Sequence, residues 1–166
     1  MCYIRAMLNE CSSLVSWRTR PRSFTGLMTL YESNFHRLGW LGLDPLHLPD
    51  LSRSRIDDDL PLELRVIERC RYTTVANLSY VFTTGLLPER EPGLEMRVYH
   101  DARLVEVSDL GRDPCLPQAV RVRVPTSLDQ RWARNMLLNK WLDYCFERGH
   151  GFAGRPARVR PSAATA

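Results

Sequence analysis

From Leu62 onward the chain alternates apolar and polar residues at a period of two, again and again, with only short breaks between runs. Leu62, Leu64 and Val66 alternate with Glu63, Arg65 and Ile67. Thr74, Ala76, Leu78, Tyr80 and Phe82 alternate with Thr73, Val75, Asn77, Ser79 and Val81. Leu94, Met96 and Val98 alternate with Glu95, Arg97 and Tyr99, and further extended runs follow at Leu104–Val107 and Val120–Val124. Period two is the spacing of a β-strand with two unlike faces. Parallel pairing needs crossovers of about a dozen residues. Most of the breaks are shorter than that, so the five runs predict an antiparallel meander.

Two helical patterns flank these strands. Phe24, Leu27, Met28, Tyr31, Phe35, Leu38 and Leu41 fall at helical spacing, with Ser23 as N-cap and Gly39 and Gly42 at the end. Ser127-Leu128-Asp129-Gln130 fits a capping box. It opens a second helix that carries Leu128, Trp132, Leu137, Leu138, Trp141, Leu142 and Cys145 along one side and stops at Gly149 and Gly151. Two amphipathic helices need a shared apolar surface, and one sheet face supplies it. The expected fold is a single α+β domain over 23–151, a five-stranded antiparallel sheet with an N-terminal and a C-terminal helix packed on one face. Asp44–Pro61, with its prolines and the run Asp57-Asp58-Asp59, reads as a surface loop.

The ends differ in composition. Residues 1–22 read as a flexible N-terminal extension, and residues 152–166 as a disordered basic tail with too little apolar matter to fold. Each carries a charge of +3, from Arg5, Arg18, Arg20 and Arg22 against Glu10, and from Arg155, Arg158 and Arg160. The whole chain is +4, so residues 23–151 are mildly acidic. That distribution argues against nucleic acid as a partner. No apolar run approaches the ~20 residues that a membrane crossing needs. Five widely spaced cysteines without a CxxC pair give no zinc or thioredoxin-like signature, and free thiols fit a reducing, cytosolic setting.

Taken together, Glu32-Ser33-Asn34-Phe35, Arg71-Tyr72-Thr73-Thr74, Met96-Arg97-Val98-Tyr99-His100-Asp101-Ala102, Asn135 and Trp141-Leu142-Asp143-Tyr144-Cys145 resemble the YqiB-like family. This is a group of small bacterial cytosolic proteins with a domain of unknown function. The resemblance covers about Phe24 to Gly149 and implies a cytosolic bacterial protein, with no activity to carry over. Trp132 and Ala133 depart from it by standing where polar residues are expected, which counts against a polar site at the start of the last helix.

Signatures of common hydrolases, nucleotide enzymes and metal sites are missing, and nothing calls for a cofactor or a metal. His100 with Asp101 or Glu106 is the one catalytic candidate, because an imidazole beside a carboxylate can serve as a general base. The competing reading makes His100-Asp101 the turn between two strands. Arg71, Tyr72, Tyr99 and His100 are the ligand-binding candidates, with the Arg71 guanidinium suited to an anion. Glu32 and Asn34 read as solvent-facing or loop-capping residues. Arg65, Arg97, Arg121 and Arg123 share the sheet face opposite the helices with Tyr99, Glu63 and Glu95, which reads as a solvated face of mixed charge. The leading expectation is a non-enzymatic binding or regulatory module for a protein partner or a small anionic ligand. An enzyme acting on a small phosphorylated molecule through His100, and a nucleic-acid binder using the basic sheet face, are the alternatives.

The neighbours of Trp141 place it on the packed side of its helix. Trp141→Ala should therefore cost about 3–5 kcal/mol in urea unfolding, the usual loss for a large buried aromatic.

Overall fold

The computed structural model describes residues 22–57, 59–82, 89–110 and 127–152. Helix α1 spans Phe24–Trp40. Five strands follow: β1 (Leu51–Ser54), β2 (Leu62–Arg69), β3 (Thr73–Phe82), β4 (Glu89–Tyr99) and β5 (Leu104–Leu110). Helix α2 spans Leu128–Arg148. The sheet runs β1-β2-β3-β4-β5 with every neighbouring pair antiparallel, so the expected meander is present.

Its membership differs at the start. Leu51–Ser54, inside the expected loop, pairs with β2 through Ser52↔Leu64 and Ser54↔Leu62. Four residues without a β-branched side chain give no strand signal, and pairing with β2 makes up for the missing propensity. β4 also begins earlier than the alternation suggests, at Glu89. Pro92 is tolerated there because the register shifts between Leu78 and Tyr80 on the partner strand, so the missing N–H falls at a bulge. The run at Val120–Val124 lies outside the described residues.

Leu62, Leu64, Ala76, Leu78, Leu94, Met96, Val98, Val105 and Val107 form the inner sheet face, packed with Phe35 and Leu38 of α1 and Leu138, Trp141, Leu142 and Cys145 of α2. Leu128 and Leu137 are exposed, as is Phe24, contrary to the expected stripes. Leu128 and Phe24 are the first residues of their helices, and Leu137 points away from the arc centred on Leu138 and Leu142. Leu30, absent from the expected stripe, is fully buried.

The helix caps agree with the sequence. The Ser23 side chain accepts from Gly26 N–H at 3.0 Å. Ser127 and Gln130 cap each other reciprocally, and Gly149 closes α2 in the left-handed region. Phe152, placed with the basic tail by composition, is fully buried. Its N–H donates to the Leu41 carbonyl at 2.7 Å. This close approach explains Gly42, where φ is +81° and a Cβ would stand 3.0 Å from the Phe152 carbonyl oxygen.

Where the helices meet β5 they do so through asparagines. Asn34, expected near solvent, is fully buried together with Asn135, and Asn139 is nearly so. Asn135 Oδ1 accepts from Val107 N–H at 3.0 Å, and Asn34 Nδ2 donates to the Val105 carbonyl at 3.5 Å. Asn34 Nδ2 also reaches Asn135 Oδ1 at 3.3 Å, while Asn139 Nδ2 donates to Asn34 Oδ1 at 2.9 Å and to Ser33 Oγ at 3.0 Å. Arg37 of α1 and Asp143 of α2 form an adjoining, nearly buried ion pair. A strand's outer edge leaves N–H and C=O groups without ladder partners, and here the helices supply them. The reason Asn34 escapes sequence reading is that its partners lie on another helix and a strand edge.

Asn135→Ala removes the acceptor for the buried Val107 amide. It should cost about 1–3 kcal/mol in urea unfolding, the penalty for an unsatisfied buried donor.

Candidate functional site

The four ligand-binding candidates lie at one end of the sheet. The turns joining β2 to β3 and β4 to β5 lie side by side there, because Thr73 pairs with Tyr99 and His100 N–H donates to the Tyr72 carbonyl at 2.9 Å. His100 opens the β4–β5 turn, and its Nε2 sits 2.9 Å from Thr74 Oγ1. The turn is finished by Asp101, whose Oδ1 accepts from Ala102 N–H at 2.8 Å, and by Arg103 at φ 52°. Arg71 and Tyr72 are both exposed, with the guanidinium 5.0 Å from the ring centroid. That separation is within cation–π range.

Glu106 is held elsewhere. Its carboxylate accepts from Tyr99 Oη at 2.9 Å and from Tyr31 Oη at 3.2 Å, with Arg131 Nη1 3.6 Å away. Burial and the Glu106 charge push both phenols above their ordinary range. Asp101 and Glu106 therefore hold backbone and phenol protons. Among the described residues no hydrogen bond or ion pair joins either carboxylate to His100. Glu32 stays at the surface, 4.0 Å from His36 one turn along α1.

A second cluster, absent from the sequence reading, closes the opposite end of the core. His150 is fully buried, with Nδ1 3.1 Å from Ser54 Oγ and Nε2 3.5 Å from Asp59 Oδ2. The order Ser54, His150, Asp59 looks like a hydrolytic relay. Ser54 is nearly buried, however, and its Oγ accepts from Gly151 N–H at 2.9 Å, which makes this a latch for the chain leaving α2. Tyr80 Oη lies 3.4 Å from Cys145 Sγ beside it, and burial pushes the Cys145 thiol up to about 11, leaving it inert. Ser54 and His150 stand 96 residues apart, too far for any spacing rule to connect them.

The sheet face opposite the helices carries Arg65, Arg97, Glu63, Glu95 and Tyr99, as the alternation implies; Arg121 and Arg123 lie outside the described residues. Glu63 is not solvated as expected, since its side chain is 1% exposed. Three arginines surround it. Arg53 Nε is 2.8 Å away, Arg90 Nε 2.9 Å and Arg65 Nη2 3.2 Å. Burial alone would raise the Glu63 carboxyl, but the bonds from Arg90 and Arg53 hold it below the usual range. Arg53 and Arg90 went unmarked because one lies in the unexpected β1 and the other in the early part of β4. Arg53 also lines a cleft of about 400 Å³ at the β1 edge, with Leu43, Pro49, Leu51 and Phe152.

Among the described residues no group of three or more His, Cys, Asp or Glu side chains could hold a metal ion. No described helix is long and apolar enough to cross a membrane.

Residues 42–151, from the turn after α1 to the residue before Phe152, match the family described as "Protein of unknown function (DUF1249)". The chain belongs to this family. The matched span holds all five strands and α2, and with them the hairpin end, the Glu63 cluster and the His150 latch. No curated protein and no solved structure matches the chain.

The latch predicts a pH dependence. Burial lowers the pKa of His150, against an opposing pull from Asp59, and Arg148 lowers it further. The folded state keeps the ring neutral, whereas the unfolded chain takes up a proton below about 6.5. Stability should thus fall as pH drops through the ordinary imidazole range. The Tm decline between pH 7 and pH 5 should be smaller in His150→Asn than in the parent protein. Asp59, with its carboxyl held low, contributes only at more acidic pH.

Proposed function

We propose that the protein is a small, non-enzymatic binding module that takes an anionic ligand where Arg71, Tyr72, Tyr99 and His100 meet. One observation carries this reading: the Thr73↔Tyr99 pairing and the bond from His100 N–H to the Tyr72 carbonyl bring an exposed guanidinium, an exposed aromatic ring and an imidazole to one sheet end. A guanidinium forks onto carboxylate or phosphate, and an imidazole N–H can donate a further hydrogen bond to it. An enzymatic role for His100 has less support, because Asp101 and Glu106, the carboxylates that would orient it, serve Ala102 and the two tyrosines.

We also propose that this family is the YqiB-like group and that the protein is cytosolic and bacterial. The support is the sequence segments Met96–Ala102 and Trp141–Cys145, together with free thiols at Cys70 and Cys145.

A thermal-shift screen of small phosphorylated and carboxylated compounds at pH 6 and pH 8 tests the binding site. Ligands should raise the Tm of the parent protein, and His100→Asn and Arg71→Ala should each weaken that response. Equal stabilisation of all three proteins at both pH values would put the ligand elsewhere. Turnover that disappears in His100→Asn would replace the module by an enzyme, and silence across the screen would favour a protein partner.

A further inference from the structure

The second gathering of positive charge is on the sheet face opposite the helices, built on β1, β2 and β4. Arg53 and Glu63 are direct cross-strand partners on β1 and β2. Arg65 stands two residues further along β2, on the same face. Arg90 arrives from β4, two strands away, opposite Val81. All three guanidiniums converge on one carboxylate.

Glu63 is 1% exposed, whereas the side chains of Arg53, Arg65 and Arg90 are 48%, 43% and 26% exposed. The arginines therefore lie between the carboxylate and solvent. One arginine in a bidentate pair would neutralise a buried carboxylate. Three leave a surplus of two positive charges held within a few ångströms, which repel one another. Each guanidinium gives one nitrogen to Glu63. Among the described residues, Arg53, Arg65 and Arg90 have no hydrogen bond or ion pair beyond those to Glu63.

From this geometry we propose that Arg53, Arg65 and Arg90 form a binding site for a phosphate monoester, with Glu63 as the buried post that holds them in place. The surplus charge of two matches a phosphate dianion, and planar guanidinium forks match its oxygens. Fixing the side chains beforehand removes the ordering cost that free arginines meet on binding. Arg53 also borders the cleft at the β1 edge, where Pro49 and Leu51 offer an apolar wall to the body of a small phosphorylated molecule. This site is separate from the hairpin end and stands or falls without it.

The test uses the full-length protein, calorimetric titration and thermal shift at pH 7.5. The probes are inorganic phosphate, ribose 5-phosphate, ribose, a single-stranded oligonucleotide, and chloride at matched ionic strength. Inorganic phosphate and ribose 5-phosphate should bind and raise Tm, whereas ribose and chloride should not. Affinity should fall at least tenfold in Arg65→Gln and in Arg90→Gln, variants that leave Glu63 with two partners and so keep the fold. Arg22→Gln, an exposed arginine outside both sites, should bind as the parent does. Tighter binding of ribose 5-phosphate than of phosphate brings the cleft into the site, and equal binding confines it to the arginines; either result supports the proposal. Phosphate effects no larger than those of chloride would overturn it, as would unchanged affinity in both variants. A loss confined to Arg71→Gln, or binding of the oligonucleotide without a response to inorganic phosphate, would overturn it too.

Discussion

The outer edge of β5 is where the fold is most constrained. A strand at the end of a sheet must find partners for the N–H and C=O groups that point away from its neighbour. Here the Val107 amide and the Val105 carbonyl are answered by Asn135 of α2 and Asn34 of α1. Those two side chains also bond each other, and Asn139 ties Asn34 to Ser33. A single polar network thus fixes the spacing of the helices, their rotation and their height on the sheet. A fully satisfied buried network specifies one arrangement, because any slip leaves polar groups unpaired in a low-dielectric interior.

The rest of the architecture follows. With α1 and α2 held at β5, the Arg37–Asp143 pair closes the helix interface, and Leu138, Trp141, Leu142 and Cys145 are pressed onto the inner sheet face. The end of α2 then turns through Gly149 so that His150 meets Ser54 and Asp59, and Phe152 enters the core beside Gly42. Many polar groups that look chemical in isolation do structural work of this kind. Glu106 anchors two phenols, Asp101 shapes a turn and His150 latches a chain end. What is left over is cationic: Arg71 on its aromatic neighbour, and the three guanidiniums above Glu63.

Much of the fold was legible from the sequence because it rests on local rules. Alternation at period two located β2, β3, the core of β4 and β5, and short connections dictated antiparallel order. Ser23, the Ser127–Gln130 box and Gly149 marked helix ends through bonds that reach only three or four residues. β1 was hidden, since Leu51–Ser54 becomes a strand by pairing with β2 and has no propensity of its own. Phe152 was hidden too, as one aromatic in a basic, apolar-poor segment gives no period. Of the candidate site, the hairpin residues were visible because turns have a residue signature.

By itself the sequence determined the order of elements, the antiparallel meander and the two buried helix faces, all consequences of periodicity and capping. It also put Glu63, Arg65, Arg97 and Tyr99 on one sheet face, since alternation fixes sidedness. Only the tertiary structure decided which polar groups meet. Asn34 finds Val105 and Asn135, Ser54 finds His150, and Arg53 and Arg90 find Glu63, across separations of 10 to 101 residues. Such contacts are set by how strands and helices stack in space, and no local energy term in the chain encodes them.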